Sequence, residues 1–177
     1  MPKQVAVLRG INVAGRNTIK MVELRKLLAD AGFKNVSTYI QSGNILFENR
    51  RSGTANATAI RKLIADEYGY DVPTLVVAAS TLTKIATGSP FSSDHFQHLH
   101  VTLLDSKPKT ALVKAIAGLE FGDDEFKIVG DVVYVYCPNG YGRTKLNNQF
   151  FESKLKTQAT TRNWKTLNKL IELADAS

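Results

Sequence analysis

The chain has 177 residues, 44% of them hydrophobic and 22% charged, enough for one domain or two small ones with real cores. No apolar run approaches the ~18 residues a membrane-spanning helix needs, and the opening MPKQVAVLRG lacks the apolar stretch and small-residue cleavage site of a secretory signal. With no such run, no membrane association is expected; Cys137 is the single cysteine, so an intrachain disulfide is excluded and a cytoplasmic location is the expectation.

The net charge is +7 and the sequence pI about 9.5. From Tyr141 to Leu170 seven basic residues (Arg143, Lys145, Lys154, Lys156, Arg162, Lys165 and Lys169) are opposed by Glu152 alone. From Met1 to Leu28, Lys3, Arg9, Arg16, Lys20, Arg25 and Lys26 face only Glu23. The middle is balanced or acidic, with Asp123, Asp124 and Glu125 in succession. If the two ends meet they form one basic face suited to phosphate-bearing partners; the alternative is charge spread over solvated helix faces.

In chain order, Val5–Val13 reads as a buried strand. Met21–Gly32 follows as a helix, with Met21, Leu24, Leu27, Leu28 and Ala31 at helical spacing and Gly32 as its stop. Val36–Ile40 and Ile45–Glu48 are short strands flanking the turn Gln41–Asn44. Asn49–Asn56 reads as a loop, Ala57–Tyr68 as a helix and Val72–Ala79 as a β-branched strand. This βαββαβ order is the ferredoxin-like plan. Thr81–Thr87 is a short helix capped by Thr81, and Phe91–Gln97 is the expected boundary, giving units 1–90 and 91–177.

The second unit repeats the order about ninety residues on. His98–Asp105 is a strand, Lys109–Leu119 a helix, Phe126–Val129 and Val132–Cys137 a hairpin through Gly130-Asp131, and Leu146–Leu155 a helix. The copy reads as incomplete. Where a last strand is due, Thr160–Ala174 reads as a terminal helix that packs back on the domain, covering Trp164. The fold class is therefore α+β, with two tandem ferredoxin-like units (βαββαβ and βαββα), mainly antiparallel sheets and a C-terminal helix.

Four stretches then become recognisable: LRGINVAGRNTIKM, TYIQSGNILF, GYGRTKLNNQFFESKL and ATTRNWKTLNKLIEL. In this order, and nearly end to end, the chain resembles the bacterial domain-of-unknown-function family numbered 1697. The resemblance implies an α+β protein with two related subdomains and implies no activity. The chain departs from that pattern at Ala14 and Arg16, where Gly and Lys are usual, at Thr144 (Ser) and at Lys165 (Asn).

The expected site gathers the loop Arg9–Lys20, the turn Gln41–Asn44, and the segments Gly140–Asn147 and Thr160–Trp164. These supply glycines for close backbone approach, cations for anions, and amides for directed hydrogen bonds. A cleft between the units is expected to bind a phosphorylated or otherwise anionic small molecule. Arg9, Lys20, Arg143, Lys145 and Arg162 would supply the charge, with Asn12, Gln41, Asn44, Asn147 and Asn163 for orientation. The helix after Lys145 and one capped by Thr160 or Thr161 add N-termini that favour anions. Against this, glycines also serve turns, threonines cap helices and asparagines hold loops.

Two other classes stand beside this reading. A nucleic-acid-binding module would use the same basic face, with Trp164, Tyr39, Tyr134 or Tyr136 for stacking. A structural protein, as a homodimer joined at sheet edges, would need no ligand. His95, His98 and His100 are spaced H-x-x-H-x-H, and on a strand His98 and His100 would share a face, as a metal site requires; the only nearby carboxylates are Asp94 and Asp105 and Cys137 is far off in sequence, which argues against a metal. Ser42 lacks a nucleophile elbow, Cys137 reads as a buried hydrophobe, and no Walker or Rossmann motif is present, so the sequence neither requires nor excludes an enzyme and assigns no cofactor.

Overall fold

A computed structural model describes residues 1–176. Two compact units divide the chain: Met1–Thr83 together with the chain from Leu170 onward, and Lys84–Lys169.

In the first unit, β1 (Lys3–Leu8) is buried from Gln4 to Leu8, as its apolar run requires. It ends at Leu8 rather than Val13 because Gly10 and Asn12 take left-handed backbone (φ 75° and 53°), which no strand can continue. α1 (Met21–Asp30) buries Met21, Leu24 and Leu28 on one face. Gly32, at φ 93°, and the Phe33 N–H to the Leu28 carbonyl (3.1 Å) close it. β2 (Lys34–Tyr39) and β3 (Asn44–Glu48) form the expected hairpin.

α2 (Gly53–Tyr68) starts four residues before the expected Ala57. Ser52 caps it by accepting the Ala55 N–H at 3.2 Å. The polar start misleads because Asn56 faces inward, fully buried, and donates to Gln4 Oε1 at 3.0 Å and the Arg51 carbonyl at 3.2 Å. β4 (Thr74–Ala78) pairs with β1, giving the sheet order β2-β3-β1-β4 with every pair antiparallel. Leu8, Ile11, Ile19, Leu24, Leu28, Phe47, Ile60 and Ile64 form its core.

α3 (Ala79–Thr87) follows β4 directly, and the expected boundary segment contains a 3₁₀ helix at Ser93–His98. The second unit then runs β5 (Leu99–Leu104), α4 (Thr110–Ala117), β6 (Glu125–Val129), β7 (Val132–Tyr136) and α5 (Asn148–Leu155). One expectation is corrected here: Ala159–Asn163 is a strand, β8, paired antiparallel with β5 through Thr102↔Thr161 and His100↔Asn163. Successive threonines favour extended backbone, and the apolar helical period begins only at Trp164, the first residue of α6 (Trp164–Ala176).

The second unit is therefore a full βαββαβ, not βαββα. Its order β6-β7-β5-β8 matches the first sheet position for position, and all pairs are antiparallel. Val133, Val135, Leu146, Phe151 and Leu155 form its core. The far end of α6 groups with the first unit, where Lys3 Nζ donates to the Ala174 carbonyl at 2.7 Å.

Candidate functional site

The residues expected to form a site fall in two groups, one on each unit. In the first unit, the Arg9–Lys20 loop leaves the end of β1 beside the β2–β3 turn; the Leu8 N–H bonds the Gly43 carbonyl and the Arg9 N–H the Pro73 carbonyl. Asn12 staples the loop closed. Its Nδ2 donates to the Ile19 carbonyl (3.0 Å) and the Gln41 carbonyl (2.8 Å), and its Oδ1 accepts the Ile19 N–H (2.9 Å). Asn44 is fully buried and donates to the Tyr39 carbonyl at 2.9 Å and to Ser42 Oγ at 3.1 Å. Lys20 precedes α1 and sits 3.8 Å from Glu23. Gln41 is exposed, and Arg9 is partly buried.

The second group gathers at one end of the second sheet. Antiparallel pairing sets the starts of β5 and β6 beside the ends of β7 and β8: Leu99 and Glu125 both face Tyr136, and His100 faces Asn163. The Gly140–Asn147 segment leaves β7 here, and α6 leaves β8. Asn147 caps α5 by accepting the Phe150 N–H at 2.9 Å. Asn163, rather than Thr160 or Thr161, caps α6 by accepting the Thr166 N–H at 2.7 Å. The two helix starts are tied together, since the Thr161 hydroxyl donates to Asn148 Oδ1 (2.7 Å) and shares a 2.7 Å bond with Thr102. Arg162 faces the opposite side of β8. It is partly buried and donates to the Thr161 carbonyl at 3.0 Å, and burial pushes its guanidinium down to about 10.

Arg143 and Lys145, both exposed, line a cavity of about 420 Å³ with Glu120, Phe121, Gly122 and Asp124. The last four sit in the turn between α4 and β6, where the Asp124 N–H bonds the Phe121 carbonyl and Gly122 has φ 66°. Asn139 Nδ2, donating to Asp123 Oδ2 at 3.2 Å, ties that turn to the Gly140–Asn147 segment. Among the described residues, the side chains of Arg143, Lys145, Glu120 and Asp124 form no ion pair and no hydrogen bond. Sequence reasoning finds the two cations and misses the acidic turn, about twenty residues upstream. The β6–β7 pairing and the Asn139–Asp123 bond bring the two together, and the one sequence signal is the acidic run beside Gly122.

The aromatic side chains at this end are occupied by one another. Trp164 lies against Phe96 at 4.4 Å, Tyr136 meets the His95 ring edge-on at 4.6 Å, and Tyr134 is buried with its hydroxyl on the Ile85 carbonyl at 2.7 Å. The expected pairing of His98 and His100 on one strand face is corrected, because His98 ends the 3₁₀ helix and only His100 enters β5. The His100 ring stacks on Tyr141 at 4.5 Å and 18°, and its Nδ1 is buried with no hydrogen-bond partner. Burial holds its pKa below the ordinary 6.5, opposed by the His98 backbone and helped, least of the three, by the charge of the His98 ring. Cys137 is buried, and burial pushes its thiol up, away from the reactive thiolate. Among the described residues, no group of three or more His, Cys, Asp and Glu is arranged to hold a metal ion, and no helix is long and apolar enough to cross a membrane.

No curated protein matches the chain. Among solved structures it is similar to the conserved bacterial protein SP0830 from Streptococcus pneumoniae, with a TM-score of 0.76 at 21% identity over 98% of each chain. That likeness is one of fold. A family model matches residues 1–134, about three quarters of the length, a span that includes the Asn12 loop, the Gln41–Asn44 turn and β5. The chain belongs to the family described as "Protein of unknown function (DUF1697)".

Proposed function

We propose that this protein binds a phosphorylated or otherwise anionic small ligand at the Arg143–Lys145 end of its second unit. The observation that carries the reading is that two cations, neither engaged by another side chain, line one cavity of about 420 Å³. That volume falls within the few hundred to a thousand Å³ of small-molecule pockets. An exposed cation with no internal partner keeps its charge for an incoming group, and an arginine offers a planar fork that fits phosphate or carboxylate. Lys145 also stands three residues before α5, whose N-terminal amides favour negative charge.

The asparagines play a supporting part in this reading. Asn147 and Asn163 hold helix starts, and Asn12 and Asn44 hold the first unit's loop and turn. Nucleic acid is the less favoured ligand, because Trp164 and Tyr136 are packed against other rings and Tyr134 is buried.

Thermal-shift measurements against sugar phosphates, nucleotides and short single-stranded RNA, at two salt concentrations, test the proposal. A small phosphate ester at a hundred times its dissociation constant should stabilise the protein by about 2.7 kcal/mol. Arg143→Ala should abolish the shift, and Arg9→Ala should leave it. A panel in which no anion moves the midpoint, or in which Arg143→Ala responds like the parent, refutes it.

A further inference from the structure

We infer that the ligand of the Arg143–Lys145 cavity is a zwitterion: a small molecule carrying an ammonium group beside its phosphate or carboxylate. The inference rests on the anion-binding reading above and narrows it. The cavity that presents Arg143 and Lys145 also presents Glu120 and Asp124, with the Phe121 ring and Gly122 in the same wall. Oppositely charged side chains within reach of each other pair elsewhere in the chain, as Arg61 does with Asp71 (2.6 Å) and Lys26 with Asp30 (2.6 Å) in the first unit. Here they do not.

A ligand bearing only negative charge would meet two carboxylates as well as two cations, losing by repulsion part of what it gains by attraction. A ligand with both charges meets a partner for each. The acidic turn is also positioned rather than loose, since Asn139 holds Asp123 from the segment that carries the cations. Glu125 and Phe126 continue the acidic and apolar lining into a neighbouring cavity, also of about 420 Å³, alongside Leu119, which leaves room for a ligand that extends past its ammonium end.

The shared chemistry, an anion and an ammonium a few bonds apart, occurs in free solutes and in lipid headgroups, and the experiment separates them. Calorimetric titration of the full chain should show O-phosphoethanolamine binding about three- to ten-fold more tightly than ethyl phosphate, which lacks only the ammonium. Glu120→Gln combined with Asp124→Asn should erase that advantage without weakening ethyl phosphate, whereas Arg143→Ala should weaken both. Equal affinity for the two esters overturns the zwitterion while leaving the anion site standing. If neither ester binds, both readings fall. Arg143-dependent co-sedimentation with phosphatidylethanolamine vesicles would assign the zwitterion to a lipid headgroup, and its lack, with O-phosphoethanolamine still preferred, to a free solute.

Discussion

Ala14 and Ile40 hold left-handed backbone, at φ 50° and 51°, in the loop and turn that Asn12 joins. A side chain with a Cβ is disfavoured there, a β-branched one most of all. Ala14 is exposed and Ile40 is 47% exposed, so little packing is lost on shortening them. Ala14→Gly and Ile40→Gly should each stabilise by about 1 kcal/mol, read as a melting midpoint about 2–4 °C higher. The opposite is expected at Gly43. A Cβ there, at φ 90°, would lie 2.7 Å from Ile11 Cδ1 and 2.8 Å from Leu8 Cβ, so Gly43→Ala should cost about 2–4 kcal/mol by denaturant unfolding. Gly15→Ala, with nothing within 4 Å, should cost only the backbone term of about 1 kcal/mol.

These residues mark how far the sequence could be read at this scale. Glycines and asparagines announced a turn-rich loop. Whether Asn12 faced a ligand or its own backbone was not legible, because one amide suits either, and its partners, Ile19 and Gln41, are set by the closed loop. Asn56 misled for the same reason: a buried amide answered by Gln4 looks, in one dimension, like a loop residue.

Among the elements, those with a clean apolar period were legible, and α1, the β2–β3 hairpin and the β6–β7 hairpin lie within a few residues of expectation. The last strand was not. Thr160–Asn163 abuts a strongly amphipathic helix with no intervening turn residue, so nothing in one dimension separates it from the helical period. The actual junction is the Asn163 cap. Asn163→Ala should cost about 1 kcal/mol, and Asn163→Asp or Asn163→Ser should recover most of it in the same unfolding assay.

β5 supplies a pH dependence. The folded state keeps the His100 imidazole below its ordinary pKa of 6.5, so the unfolded chain binds more protons in acid. The stability that this difference contributes is present above about pH 6.5 and is lost as pH falls from there through the folded value. His100→Phe preserves an aromatic ring against Tyr141 and should flatten the stability profile across that window. An unchanged profile would place the titration elsewhere.

For the molecule as a whole, one strand order used twice organises the fold. It does not explain the charge. The two units carry their long irregular segments at different places in the repeat: the first between β1 and α1, the second between β7 and α5. Architecture therefore does not dictate either segment, and the second lies beside a cavity with cations held by no other side chain. Backbone amide chemical shifts, followed by NMR as O-phosphoethanolamine is titrated into the full chain, test that placement most directly. Saturable shifts concentrated in residues 120–124 and 143–148 are expected. Shifts confined to residues 9–20, or none at concentrations well above those of a specific ligand, would contradict it.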